Sequence, residues 1–136
     1  MQFGNYILCV DDDKDDCQLL AEAISSLQPS VQVKFEENGE KALLFLTAAI
    51  KEKKLPRLIV LDLNMPAMDG KETLVQIKAN PQLNGVPVLV LSTNVKDPDI
   101  LELENKGVSI IAKPNAVKQY DEIAKTIVNL MSVSQS

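Results

Sequence analysis

The chain contains no histidine. That absence excludes a histidine nucleophile and a phosphohistidine within this chain, and it leaves zinc and iron poorly served. Cysteine is almost as scarce. The two present, Cys9 and Cys17, lie inside and just beyond the first apolar run, and they read as small buried hydrophobes rather than as a redox pair. No long basic run occurs and the net charge is −5. This argues against nucleic acid or an anionic membrane as the main partner, because both need clustered Lys and Arg. No apolar stretch approaches the ~20 residues that span a bilayer. The N-terminus lacks a basic leader and a cleavage site, so the expected location is the cytoplasm.

What is present is a repeated unit: a short apolar run, a polar residue, a turn, then an amphipathic stretch. The 136 residues suit one domain, 1–136, with a polar tail over 132–136 that is expected to fray. The apolar runs are YILCV (Tyr6–Val10), VQVKF (Val31–Phe35), LIVL (Leu58–Leu61), VPVLVL (Val86–Leu91) and VSIIA (Val108–Ala112). The first, third and fourth are nearly continuous in Val, Ile and Leu, as strands buried on both faces of a parallel sheet are. Pro87 would open a strand, where its missing N–H is tolerated. Between the runs, Leu19, Leu20, Ala23, Ile24 and Leu27 recur at helical spacing, as do Ala42, Phe45, Leu46, Ala49 and Ile50. Leu74 and Ile77 mark a shorter helix ending near Asn80-Pro81. Asp97-Pro98 offers a cap and first residue for a fourth helix, and Gly107 a stop. Val117, Tyr120, Ile123, Ile127 and Leu130 predict a fifth. Strand and helix thus alternate five times, which predicts an α/β fold: an open parallel sheet with helices on both faces.

In such a sheet, ligands bind beyond the carboxyl ends of the strands. The residues ending the apolar runs are Asp11 and Asp12, Asp62, Ser92 and Lys113. Strand two ends in Glu36 and Glu37, which converge less obviously. Two carboxylates ~4 Å apart repel by about 4 kcal/mol at an effective dielectric near 20. A cluster of three stays ionised only beside cations. Lys113 supplies one charge, and a hard divalent cation would supply the rest. Magnesium suits an all-oxygen set that includes a phosphate. A carboxylate beside magnesium, a lysine and a hydroxyl suits phosphoryl transfer through an acyl phosphate. The adjacent Asp11 and Asp12 read as metal ligands. Asp62, alone at its strand end, is the better nucleophile candidate. Asp13 has an open role between site edge and helix cap, while Asp15 and Asp16 read as solvated first-turn acids that suit a helix N-terminus.

VDDD (Val10–Asp13), LIVLDLNMPAMDG (Leu58–Gly70), PVLVLST (Pro87–Thr93) and KP (Lys113-Pro114), in this order, resemble the receiver domain of bacterial two-component response regulators. The resemblance covers nearly the whole chain. It implies a flavodoxin-like doubly wound sheet of five strands, order 2-1-3-4-5, with five helices; the strand order is taken from the resemblance. It further implies that Asp62 is the phosphoacceptor, that Asp11 and Asp12 bind Mg2+, and that Asn64 offers the metal its backbone carbonyl. Ser92 takes the switch-hydroxyl position, Lys113 pairs with the phosphoryl group, and the Lys113-Pro114 bond is expected to be cis. The implied donor is a histidine kinase or a histidine phosphotransfer protein. The run LDLNMP together with KPN is similar to stand-alone receivers that partner phytochrome-type kinases.

Two departures bear on the output mechanism. Ile110 stands where the family often has Tyr or Phe, and Asn115 where it often has Phe. The expected output is a shift of the surface formed by the fourth helix, fifth strand and fifth helix, with Ile100, Leu101, Leu103 and Ile110 as candidates for a partner or homodimer patch. Such a shift from 1:99 to 99:1 needs roughly 5.5 kcal/mol of differential interaction. The resemblance implies no enzyme activity beyond the chain's own phosphorylation and dephosphorylation. Three other readings compete. A haloacid-dehalogenase-type phosphatase would place its nucleophile after strand one. A flavin mononucleotide binder would need a phosphate loop there instead of aspartates. A pseudo-receiver would fold but never be phosphorylated.

Overall fold

The three most apolar runs become the inner strands of the sheet. β1 (Tyr6–Val10), β3 (Leu58–Asp62) and β4 (Val88–Ser92) are buried at every residue. β2 (Gln32–Glu36) and β5 (Ser109–Ala112) carry more polar residues and form the two edges. All neighbours pair in parallel, in the order β2-β1-β3-β4-β5. The order is the one the resemblance implied. The computed structural model describes residues 3–63, 70–92, 98, 101–102, 108–113 and 117–134.

Strand alternation sorts the core into two layers. Leu8, Val10, Ile59, Leu61, Val88 and Val90 face one side. They pack against Ala42, Leu46 and Ala49 of α2 (Gly39–Glu52) and Leu74 and Ile77 of α3 (Gly70–Ala79). Ile7, Cys9, Leu58, Val60, Leu89 and Leu91 face the other. They meet Cys17, Leu20 and Ile24 of α1 (Lys14–Leu27) and Ile123, Ile127 and Met131 of the C-terminal helix (Val117–Ser134). Each fully buried aliphatic side chain contributes about 1.5–3 kcal/mol relative to exposure. This two-sided burial holds the strand ends, and so the site, in place.

Local chemistry sets the helix ends. Asp13 caps α1, its Oδ1 accepting from the N–H of Asp15 at 2.9 Å and of Asp16 at 3.4 Å. Asn38 caps α2 by accepting from the Lys41 N–H at 2.8 Å. The helix α3 stops before Asn80-Pro81 as expected, and Asn80 then caps a short 3-10 turn, Pro81–Leu83.

Four expectations shift or fall elsewhere. The second strand starts at Gln32 rather than Val31, because the Val31 N–H is used by Gln28 O at 3.1 Å in the preceding turn. The fourth strand begins at Val88, after Pro87, whose carbonyl still accepts from Ile59 N at 3.0 Å. The C-terminal helix runs to Ser134, into the tail that was expected to fray. The fourth helix expected between Asp97 and Gly107 lies mostly outside the described residues; of that stretch 98, 101 and 102 are described and are helical. No helix among the described residues is long and apolar enough to cross a membrane.

Candidate functional site

The sheet's winding reverses at β1 and β3: one neighbour, β2, follows β1 outward in one direction, and β4 follows β3 in the other. Helices on opposite faces diverge there and leave a crevice beyond the strand ends. The backbone of the residues at this rim is fixed by bonds that extend the ladders one step. Asp11 N donates to Glu36 O at 3.1 Å, Leu63 N to Leu91 O at 3.0 Å, and Lys113 N to Ser92 O at 2.8 Å. Side chains mounted on such backbone are held precisely enough for chemistry.

Asp11, Asp12 and Asp62 each bring one carboxylate oxygen to within 4.8 Å of the others. Asp11 and Asp62 are buried and Asp12 is exposed. Lys113 reaches into the group. Its Nζ donates to Asp62 Oδ2 at 2.6 Å, and lies 3.7 Å from Asp16 Oδ2 and 4.0 Å from Asp11 Oδ1. Ser92, fully buried, ends the strand next to that of Asp62. The four acids and the lysine come from the residues just after β1, from α1, from the end of β3 and from the residue after β5. Sequence-distant residues are thus brought to one rim.

Charge in this rim is unbalanced. Burial pushes the Asp11 carboxyl up to about 7; the Asp13 N–H, donating at 2.9 Å, pulls it down, the nearby Asp62 charge raises it, and Lys113 lowers it. Burial works against the Lys113 ammonium, yet its hydrogen bond to Asp62 and the charges of Asp11, Asp62 and Asp16 hold it above the usual lysine range. One lysine does not neutralise this many carboxylates. Three carboxylate oxygens, with no nitrogen or sulfur donor in the cluster among the described residues, fit a hard divalent cation, and exposed Asp12 leaves a side open to water and ligand.

The predicted residues Asp11, Asp12, Asp62 and Lys113 therefore meet, with Ser92 at the adjacent strand end. Asn64 and Pro114 lie outside the described residues, and with them the backbone carbonyl and the cis bond. So do Ile100 and Leu103 of the expected partner surface; of its other members Leu101 is exposed and Ile110 is half-buried against the core. Asp13 resolves as the cap of α1. Asp15 is exposed, as expected, but Asp16 is not a solvated acid: it turns toward Lys113. Its signal was legible, since Asp16 continues the buried helical stripe of Leu20 and Ala23 by one turn. Two more contributors were missed. Gly70 begins α3 against the strand end: a Cβ there would lie 2.4 Å from Leu63 Cα and 2.6 Å from Asp62 O. Burial first, then the Asp16 charge, holds the phenol of Tyr120, in the C-terminal helix, above the usual tyrosine range.

The two cysteines are buried free thiols. A hydrogen bond with Cys17, then burial, pushes the Cys9 thiol well up, so Cys9 stays protonated; the burial of both is in keeping with the reading as small hydrophobes.

Residues 7–125 match the response regulator receiver domain. The response regulator Rcp1 of Synechocystis is 37% identical over 97 residues, covering 70% of this chain and 66%, just under two thirds, of Rcp1. The phosphorylated cyanobacterial phytochrome response regulator RcpA has a similar structure, with TM-score 0.84 and 32% identity over 98% of this chain and 97% of that one. The Mn2+-bound form of Rcp1 superposes with TM-score 0.78 and 31% identity, over 90% and 91% of the two chains. None of these matches supports a haloacid-dehalogenase-type phosphatase. With the family model matched over most of its length, the chain belongs to the receiver domains of response regulators, phosphorylatable signalling modules.

Proposed function

We propose that Asp62 accepts the phosphoryl group, with Asp11, Asp12 and Asp62 holding Mg2+ through their carboxylates and Asn64 through its backbone carbonyl. The observation that carries this is the placement of Asp62: buried at the end of an inner strand, bonded to Lys113 at 2.6 Å, and within 4.8 Å of two other carboxylates. A carboxylate oxygen of Asp62 attacks the phosphorus of a phosphohistidine. The P–O bond forms as the P–N bond breaks, and the imidazole leaves on the donor. Bound Mg2+ would supply positive charge to the phosphoryl oxygens. Lys113 turns its donors from Asp62 to the phosphoryl group, and the Ser92 hydroxyl donates to another of its oxygens. The chemistry is confined to the chain's own aspartate.

The donor is a histidine kinase or a histidine phosphotransfer protein. Likeness to the phytochrome response regulators supports a phytochrome-type kinase. The new dianion biases two pre-existing states, and the signal leaves through protein contacts or phosphoryl relay. The test is to incubate the protein with acetyl phosphate and Mg2+, trap the acyl phosphate with borohydride, and locate it by mass spectrometry. The modification is expected on Asp62 and is expected to vanish in Asp62→Asn. Label on Asp11 or Asp13, or labelling that survives Asp62→Asn, overturns the assignment. No label from acetyl phosphate or from any histidine kinase restores the pseudo-receiver reading.

A further inference from the structure

The acidic rim has a basic counterpart. Where β1 and β2 begin, a cleft of about 620 Å3 is lined by Asn5, Ser30, Gln32, Lys34, Lys53 and Lys54, among others. The chain carries 19 acids against 14 cations, yet three lysines and no acid among the described residues line this cleft. No described carboxylate pairs with any of the three. The frame around them is fixed. Lys54 donates its N–H to Ala49 O at 3.0 Å, and its carbonyl accepts from the Tyr6 hydroxyl at 2.6 Å. Asn5 accepts from Gln32 N at 3.2 Å on its backbone; its side chain accepts from Arg57 at 2.9 Å and donates to Ser30 O at 3.0 Å. Lys34 holds its Nζ 4.6 Å from the Tyr6 ring centroid and 5.7 Å from that of Phe45. Lys53 has φ 58°, the left-handed conformation, just past the end of α2. Glycine adopts that conformation more readily than any other residue. The negative end of the α2 dipole favours a cation, but Lys51 already stands in the last turn. A long cationic side chain at the strained position therefore points to a use for the side chain itself.

We propose that this cleft binds an oligophosphate, two or more linked phosphates, free or as the tail of a nucleotide. Each lysine is a compact charge with three donors on a flexible stem, so three of them can close on successive phosphates. A single phosphate would fill only a small part of the volume and leave ammoniums unmatched. The Asn5 amide and Ser30 hydroxyl add neutral polar groups to the wall. A smaller hollow of about 230 Å3 adjoins the cleft, sharing Tyr6, Lys34 and Lys54, and Glu52 lines it. The Glu52 carboxylate opposes an anion there and limits the affinity. The inference is independent of which residue accepts the phosphoryl group, since the length of β1, about 17 Å, separates the cleft from the acidic rim.

The experiment titrates the protein at low salt, without divalent metal, with sodium tripolyphosphate, with ATP and with inorganic phosphate, following backbone amides by 1H–15N NMR. Without metal the acidic rim repels all three probes. Saturable shifts are expected at Ser30, Gln32, Lys53 and Lys54, with a tripolyphosphate Kd below about 1 mM and far weaker binding of inorganic phosphate. Tighter binding of ATP than of tripolyphosphate assigns a nucleotide; equal or weaker binding assigns the free oligophosphate. Lys34→Gln and Lys54→Gln are each expected to weaken binding by about threefold to tenfold. Lys53→Gly is expected to weaken it similarly while raising the melting temperature, because glycine relieves the left-handed turn; a merely structural lysine would show the second effect alone. Glu52→Gln is expected to tighten binding by about twofold or more, a gain that misfolding cannot mimic. Four results would each overturn the proposal: no saturable shift with tripolyphosphate or ATP, inorganic phosphate binding as tightly as tripolyphosphate, equal shifts at the exposed Lys71 and Lys125, or an unchanged affinity in Lys53→Gly. Any of them leaves the lysines as charges at a helix end.

Discussion

At pH 8 without metal, Asp11 and Asp62 place two carboxylates in a buried strand-end pocket where, among the described residues, they share the Lys113 ammonium. The folded Asp11 carboxyl titrates at about 7, against roughly 4 for an unfolded carboxylate. Between those values the native chain holds more protons than the unfolded one. The stability this group contributes is therefore complete below about pH 4 and is lost as pH rises through about 7. Thermal melts in chelator are expected to show that decline, and Asp11→Asn is expected to flatten it. Magnesium added at pH 8 should raise the melting temperature of the natural protein and do little for Asp11→Asn, because ligand binding stabilises only a fold that can bind it. Equal stabilisation of both proteins would remove Asp11 from the metal site.

The elements α3 and β3 meet so closely that one hydrogen atom's worth of space decides the fit. A methyl group at Gly70 would strike the backbone of Leu63 and Asp62 at 2.4 and 2.6 Å, and backbone yields far less readily than a side chain. Gly70→Ala is expected to cost about 1–3 kcal/mol in urea denaturation. It should also slow acetyl-phosphate labelling roughly tenfold or more, since small displacements of a reacting group are costly. An unchanged denaturation midpoint would show that α3 slides aside. At this scale the sequence was most legible where both faces of an element are buried: Tyr6–Val10 and Leu58–Asp62 read almost residue for residue. It was less so at the edge, where Val31 is buried by a turn rather than a strand. Asp16 was readable from the stripe it continues, one turn before Leu20, but the part of Tyr120 at the site was not, because a helix's rotation about its axis depends on what it packs against. Acidity near a cap suggests solvent until that partner is known.

Two apolar layers share one sheet, so neither can melt alone. Ile59 belongs to one layer and is fully buried, while its neighbours Leu58 and Val60 belong to the other. Ile59→Ala is expected to cost about 2–5 kcal/mol and to lower the urea midpoint with the slope unchanged, in a single transition seen by every probe. Two separate transitions would show that the layers unfold independently. The alternation that builds both layers was readable from the chain. The strand order was not: five similar βα units can be wound in several orders, and only the likeness of the DD, D and KP positions to a known family selected this one. The thiols of Cys9 and Cys17 give the same cooperativity a local gauge. They lie between β1 and α1, directly under the acidic rim. An alkylating reagent reaches Cys9 only when that helix lifts, so the pace of its capture becomes a stopwatch for how often the floor of the signalling site opens.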